Sequence, residues 1–327
     1  MIGMSLSWRV TRLGTPEEAL ALSELPERSP GPGEARVAVE AVGLNHPDLL
    51  LCAGRYQERP EPPFSPGFEA AGTVVEAGPG CVVEAGRRVV VVPELPQGAM
   101  QQSLTVPEAQ LFPVPDTMPF ATAAVLHIAY STAHAALHHR ARLATGETLL
   151  VTGGSGGVGS AVVQLGKAAG AFVLATATGP RKAEACLSFG ADGVVDLASE
   201  DVVARVRELT DGRGADVAVD VVGLVEQLRR CIAFEGRLVA VGFAGGAIPD
   251  APVNHVLLRN YSVVGLHLAL YRKENPALLQ AIHAELVELW RHGTVVPRVE
   301  ELPFDQAPAA LGRLADRDVI GRLVLRC

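Results

Sequence analysis

The chain has 327 residues, 48% of them hydrophobic and 20% charged, with a net charge of −8 and a pI near 5.6. That length suits two domains rather than one core, and the acidic balance argues against nucleic acid or an anionic membrane as the main partner. The cysteines (Cys52, Cys81, Cys186, Cys231 and Cys327) are scattered, odd in number and never spaced CxxC, which excludes a disulfide framework or zinc ribbon and makes a reducing, cytoplasmic setting the expectation.

Met1–Arg12 carries no apolar leader core, and no run is expected to reach the length of a membrane span. Residues 8–125 read as a β-rich unit. Strand-like runs at Ala35–Val42, Ala71–Glu76 and Arg88–Val92 are separated by Pro/Gly clusters. From residue 126 the pattern changes to alternation. A helix over Ala129–Leu143 precedes a strand at Thr148–Thr152, a helix at Val158–Ala169, a strand at Ala171–Ala177 and a helix at Arg181–Phe189. The alternation continues through strand Gly193–Asp196, helix Glu200–Leu209, strand Asp216–Val221, helix Val225–Cys231 and strands Arg237–Val241 and Tyr261–Gly265. Such alternation predicts a parallel, doubly wound sheet. A helix at Pro276–His292 and a β tail at Gly321–Arg326 complete the chain.

Within the alternating part, an apolar strand runs into Gly154-Ser155-Gly156-Gly157-Val158-Gly159, and a helical segment follows. This is a GxGxxG fingerprint in a strand–turn–helix context, and the next strand completes a βαβ unit. The glycines would let backbone approach a pyrophosphate, held by N–H groups at the positive helix end. A dinucleotide site is therefore expected. The second strand ends in Ala177-Thr178-Gly179-Pro180-Arg181-Lys182, with no acid to accept from a ribose 2′-OH. Arg181 and Lys182 could pair with a 2′-phosphate instead, so NADPH is expected over NADH. They could also be a solvated helix start, although cations are mildly unfavourable there. Ligands meet such sheets at the carboxyl ends of the strands. This adds Thr176–Lys182, Val221–Leu224, Val241–Gly246 (with Gly242, Phe243 and Ala244) and Val264–Leu268 (with Leu266 and His267) to the candidate site.

The chain resembles the medium-chain dehydrogenase/reductases, and within them the zinc-free quinone oxidoreductases related to zeta-crystallin. The resemblance runs over essentially the whole length. It is carried by Ala41-Val42-Gly43-Leu44-Asn45-His46-Pro47-Asp48, Gly54-Arg55-Tyr56, Pro66-Gly67-Phe68-Glu69-Ala70-Ala71-Gly72, Gly190-Ala191-Asp192, Gly212-Arg213-Gly214-Ala215-Asp216-Val217 and Gly236–Phe243. It implies an α/β protein: a Rossmann doubly wound parallel sheet domain inserted into a GroES-like β-rich catalytic domain. The boundaries are expected at 1–125 with 268–327 for the catalytic domain and 126–267 for the Rossmann domain. It also implies a homodimer paired edge to edge near Tyr261–Leu268.

The zinc-containing alcohol dehydrogenases of that superfamily carry Cys, His and Cys where this chain has Asn45, Phe68 and Ile128. No metal is expected, because Phe and Ile offer no donor atom. Without a Lewis acid on the substrate oxygen, hydride must go to an acceptor that is already electrophilic, a quinone or an α,β-unsaturated carbonyl. The resemblance places Asn45 and Tyr56 at the reacting centre and Thr132 against the nicotinamide. It puts Arg322 where the family has a cofactor-side lysine. Leu197 replaces a phosphate-holding Tyr or His, which leaves NADPH selection to Arg181 and Lys182. Two other readings are an enoyl-thioester or 2-alkenal reductase and an NADPH-gated RNA-binding or structural protein. The second would need a basic stripe. Arg140-Arg142, Arg205-Arg207 and Arg229-Arg230 read as short and flanked by acids.

Overall fold

The computed structural model describes residues 3–327 and contains two compact units. One extends to Ile128 and resumes over Pro297–Cys327, and the other is Ala129–Val296. In the first unit, strands β1 (Met4–Val10) and β2 (Leu20–Pro26) form an antiparallel pair. The larger sheet comprises β3 (Glu34–Gly43), β4 (Glu69–Ala77), β5 (Arg88–Val91), β6 (Ser103–Pro107), β7 (Leu111–Pro113), β14 (Val299–Pro303) and β15 (Arg322–Arg326). Its order is β14-β15-β3-β4-β5-β7, with β6 also on β3. In β3 the buried residues Ala35, Val37, Val39 and Ala41 alternate with Arg36, Ala38 and Glu40, the period that puts one face in a core. The C-terminal strand β15 pairs antiparallel with the end of β3, Val324 opposite Gly43, so residues far apart in sequence meet where β3 ends.

The second unit is a six-stranded, all-parallel sheet of order β10-β9-β8-β11-β12-β13. Its strands are β8 (Thr148–Val151), β9 (Phe172–Ala177), β10 (Gly193–Asp196), β11 (Ala215–Asp220), β12 (Ile232–Ala240) and β13 (Ser262–Gly265). Every residue of β8 is buried, as a central strand covered by helices on both faces requires. The order reverses between β8 and β11, the switch point at which doubly wound sheets bind ligands.

Three expectations are corrected. The helix expected at Ala129 begins at Phe120 and runs on to Ala141, its final turns a π-helix. Nearly all of Ala121–Leu137 is buried on every side, so no amphipathic period marked the start. At 22 residues, with an 18-residue window of mean hydropathy 1.2, it has the length and composition of a membrane span, contrary to the sequence reading, but 83% of that window is buried inside the protein. The return to the first unit falls after Val296 rather than at 268. The reason is packing. Helix Pro276–Arg291 carries Glu285 to His134 (3.1 Å), and Gln164 grips the Val296 backbone by both amide atoms (2.7 and 3.2 Å).

Candidate functional site

In the second unit, β8 leads into Thr152–Gly156, and the helix Gly157–Ala168 starts with Gly156 as an extended cap (φ −86°). The three fingerprint glycines differ in what surrounds them. A Cβ on Gly159 would stand 2.0 Å from the Gly153 carbonyl oxygen, and one on Gly154 would stand 2.7 Å from the Ala175 Cβ and 3.0 Å from the Cys186 sulfur. Those two glycines serve close packing of turn, helix and strand. A Cβ on Gly156 would meet nothing nearer than the Gly153 oxygen at 3.5 Å, so that space is open. No side chain caps this helix, and the first N–H groups of a helix have no intrahelical acceptor. An uncapped 12-residue helix with open space before it fits a pyrophosphate at Ser155, Gly156, Gly157 and Val158.

The loops around the cradle are fixed by buried polar side chains. Thr176 accepts from Gly153 N (3.1 Å, through its hydroxyl) and Gly154 N (2.9 Å, through its carbonyl), tying the turn to β9. Asp220, 1% exposed at the end of β11, accepts at Oδ1 from the Thr152 hydroxyl (2.8 Å), Val222 N (3.1 Å) and Gly223 N (2.9 Å). The Asp220 carbonyl holds Val241 N and Gly242 N, and Ala244 N reaches Val221 O at 3.1 Å. Gly242, Phe243 and Ala244 are thus tied to the β11 loop. Leu266, whose N–H reaches Ala240 O, and His267 follow the adjacent strand end. Thr132 is buried in its helix.

At the far end of the cradle, β9 finishes at Ala177 and Thr178 is exposed. Arg181 and Lys182 lie in the first turn of helix Pro180–Ser188. β9 itself ends without an acid, but the neighbouring strand β10 supplies one. Asp196 lies beside Ala177 in the parallel register and accepts from Gly179 N (2.8 Å) and Ala198 N (3.0 Å). Those amides hold its carboxyl below the usual carboxylate range. Asp196 thus anchors the turn at Gly179 that precedes the two cations.

In the first unit, β3 ends at Gly43 and the helix His46–Cys52 follows, with Asn45 as its cap. The Asn45 amide donates through Nδ2 to Gly43 O and to Glu69 Oε1 (both 3.2 Å). Two acceptors on one side fix the amide's orientation, and the Asn45 side chain also faces the Asp48 N–H in a capping box. Glu69 is fully buried. It also accepts from Ile128 N (2.8 Å) and from Arg322 Nη2 (2.7 Å). Burial pushes its pKa up, and Arg322 opposes that shift.

Arg322 therefore departs from its expected cofactor contact. It is 5% exposed and pairs through Nη2 with Glu69, while its Nε is buried without a partner. Asp48, also fully buried, accepts from Asn45 N (2.8 Å) and Gly67 N (3.0 Å), and burial raises its pKa to about 7. Tyr56 is 8% exposed and packs edge-on against Phe68, with ring centroids 5.2 Å apart. Of the sequence candidates, Asn45, Phe68 and Ile128 gather around Glu69. Glu69 and Asp48 themselves were missed, and Asp48 is the third helical residue after Asn45, where capping carboxylates occur.

This donor set does not fit a tetrahedral zinc. Phe68 and Ile128 offer no ligand atom, the Asn45 N–H groups point at Glu69 and Gly43, and the Glu69 carboxylate is held by Arg322, Asn45 and Ile128.

Residues 31–116 match the family model for the alcohol dehydrogenase GroES-like domain, and residues 157–284 match that for zinc-binding dehydrogenases. The chain is 36% identical over 302 residues to a quinone oxidoreductase-like protein 2 homolog of Nematostella vectensis, covering 90% of this chain and 82% of that one. The chain belongs to the medium-chain dehydrogenase/reductases. Among solved structures, the quinone oxidoreductase of Escherichia coli complexed with NADPH superposes with a TM-score of 0.91 at 26% identity, covering 99% of this chain and all of that one. A phthioceranic/hydroxyphthioceranic acid synthase of Mycobacterium bovis is 30% identical over 316 residues, 94% of this chain but 15% of that protein. The fold is therefore a GroES-like domain plus a Rossmann domain, as the resemblance implied, and the family is one of oxidoreductases.

Proposed function

We propose that this medium-chain dehydrogenase/reductase is an NADPH-dependent, zinc-independent reductase of quinones or α,β-unsaturated carbonyl compounds. The observation that carries the reading is the Asn45–Glu69–Arg322 cluster. Of the three positions that hold metal ligands in the zinc enzymes, Phe68 and Ile128 offer no donor atom, and the Asn45 amide is turned to Gly43 and to a Glu69 carboxylate paired with Arg322. A metal on the substrate oxygen contributes several kcal/mol to reduction of a simple ketone. A site built as this one is suits acceptors activated by their own conjugation.

NADPH, when bound, supplies a hydride from its nicotinamide ring. The chain's own residues bind and orient. The cradle at Ser155–Val158 takes the pyrophosphate, and Arg181 and Lys182 take the 2′-phosphate. Asn45 accepts a further hydrogen bond through Oδ1, from a carboxamide or a ribose hydroxyl. Tyr56 donates its hydroxyl to the oxygen on which charge develops.

We further propose a homodimer paired through β13. It is an edge strand, and the preceding helix exposes Leu257 (74%) and Leu258 (76%), apolar surface that a second copy would cover. A cytoplasmic location is consistent with the five free cysteines. The likeness to the acid synthase supports a second reading, an enoyl-thioester substrate, which is also a conjugated carbonyl.

The test is NADPH oxidation, followed by absorbance, with a quinone, an enone, a simple ketone and an enoyl thioester offered separately. Turnover with conjugated acceptors and none with the ketone supports the proposal, and a preference for the ketone overturns it.

A further inference from the structure

Away from the cradle, three helices of the second unit converge on a cavity of about 440 Å³ lined by Arg207, Glu226, Arg229, Arg230, His255 and Arg259. No apolar side chain lines it. Arg207 comes from helix Val202–Leu209, Glu226 and the Arg229-Arg230 pair from helix Val225–Cys231, and His255 and Arg259 from helix Val253–Arg259. In the sequence these arginines look like short pairs diluted by acids. In the fold, Arg205 turns to Glu200 and Glu208, while Arg207, Arg229, Arg230 and Arg259 come together from stretches more than twenty residues apart.

The charge is unbalanced. Glu226 is the only acid in the lining, and it is taken by a two-pronged pair with Arg229 (2.5 and 2.8 Å). Arg207 donates to the Arg230 carbonyl at 2.9 Å, which draws the two chains together without neutralising either guanidinium. Arg230 feels the same Glu226 carboxylate only at longer range, and neither Arg230 nor Arg259 makes a salt bridge of its own among the described residues. Guanidinium groups do not deprotonate, so four of them facing one carboxylate repel one another in a protein whose net charge is −8. Two buried polar atoms sit beside them without partners, His255 Nδ1 and the hydroxyl of Tyr261, a residue 5% exposed whose ring packs against His255 at 5.7 Å. The arginines, the imidazole and the phenol together offer donors and positive charge, and the cavity volume is that of a small-molecule site.

We propose that this pocket is a second anion site, distinct from the nucleotide cradle, that takes a small molecule bearing a diphosphate or similar multiply charged group. The fork geometry of guanidinium matches phosphate oxygens in pairs, and two or more negative charges would offset the surplus. A concave pocket drawn from three helices suits a compact anion rather than the long backbone of a nucleic acid, which would need a continuous basic track.

The test uses the full chain with inorganic pyrophosphate as probe, titrated calorimetrically at low ionic strength while the cradle is held saturated with NADPH. NADPH binding is measured first and separately, so failure of the cofactor reading is seen on its own. One saturable site is expected, weakened at least tenfold in the double variant Arg230→Ala/Arg259→Ala and weakened less in Arg230→Lys/Arg259→Lys, which keeps the charge but loses the fork. Both positions are exposed, and thermal melting of each variant confirms its fold. The proposal is overturned if pyrophosphate gives no saturable heat, or if the alanine variant binds it as the native chain does. It is also overturned if the native chain ignores pyrophosphate while the alanine variant changes oligomeric state, which would make the pocket a contact between chains.

Discussion

The three fingerprint glycines should separate into structural and ligand-facing positions when each is replaced by alanine. Gly156 has an ordinary extended conformation, and its new methyl would meet only the Gly153 oxygen at 3.5 Å. Gly156→Ala reduces unfolded-chain entropy by an amount worth ~0.4–1 kcal/mol and loses a similar amount as a poorer helix cap. Its melting temperature should therefore stay within about 3 °C of the native value. Gly159→Ala instead drives a methyl to 2.0 Å from a backbone oxygen and 2.7 Å from that carbonyl's carbon, atoms that cannot swing aside as a side chain would. It should cost about 3 kcal/mol, at the upper end of overpacking, and lower the melting temperature by roughly 6–12 °C. Affinity should follow the opposite order. The Gly156 methyl would occupy the space a phosphate needs to reach the helix N–H groups. Losing one such bond to a charged group, at ~1.5–3 kcal/mol, weakens NADPH binding roughly 10- to 150-fold. Differential scanning fluorimetry and NADPH fluorescence titration on the same samples read both effects. Native-like NADPH affinity in Gly156→Ala, or native-like stability in Gly159→Ala, would refute this assignment.

The double variant Arg181→Ala/Lys182→Ala should erase a preference of roughly tenfold for NADPH over NADH while leaving NADH binding nearly unchanged, and in the native chain the preference should shrink as salt rises. Equal affinities in the native chain at low salt would show that these cations only begin a helix. Arg322→Met strands the buried Glu69 carboxylate and should cost ~3–5 kcal/mol in urea unfolding, whereas Glu69→Gln/Arg322→Met together should cost much less than the two single changes added. Additive losses would show that the pair does not act as a unit. The pKa of Asp48 is raised from 3.8 to about 7 in the folded chain, so the native state holds that proton more tightly than the unfolded one. Native stability should therefore fall between about pH 4 and pH 7, by up to roughly 4 kcal/mol from this group. Asp48→Asn should gain on the native protein across that window, and parallel stability–pH curves would contradict the assignment.

The Rossmann unit was legible in the sequence because its signals are local. The Gly154–Gly159 fingerprint and the buried strands carry their own context, and the observed ends of β8, β9 and β10 lie within a residue or so of those expected. What stayed hidden depends on side chains meeting across the chain. Glu69 and Arg322 are 253 positions apart, and no spacing rule links them, so Arg322 read as a cofactor contact. Asp196 escaped because the search followed β9, while the acid sits one strand over. The start of the Phe120 helix was invisible because a helix buried all round has no polar face, and helix Val253–Arg259 because it is short and carries no buried residue. The domain return was misplaced for a similar reason, since the Gln164 clamp on Val296 is a tertiary contact. The anion pocket belongs to the same class, as its arginines are unremarkable until three helices bring them together.

The central claim is metal-free reduction of a conjugated acceptor, and isotope transfer tests it most directly. The protein would be incubated with NADPH deuterated at the transferable C4 position and an enone, in the presence of a strong zinc chelator. The account predicts deuterium on the β-carbon of the saturated product, at a rate the chelator does not change. Absence of deuterium there, or activity lost with chelation and restored by zinc, would contradict it.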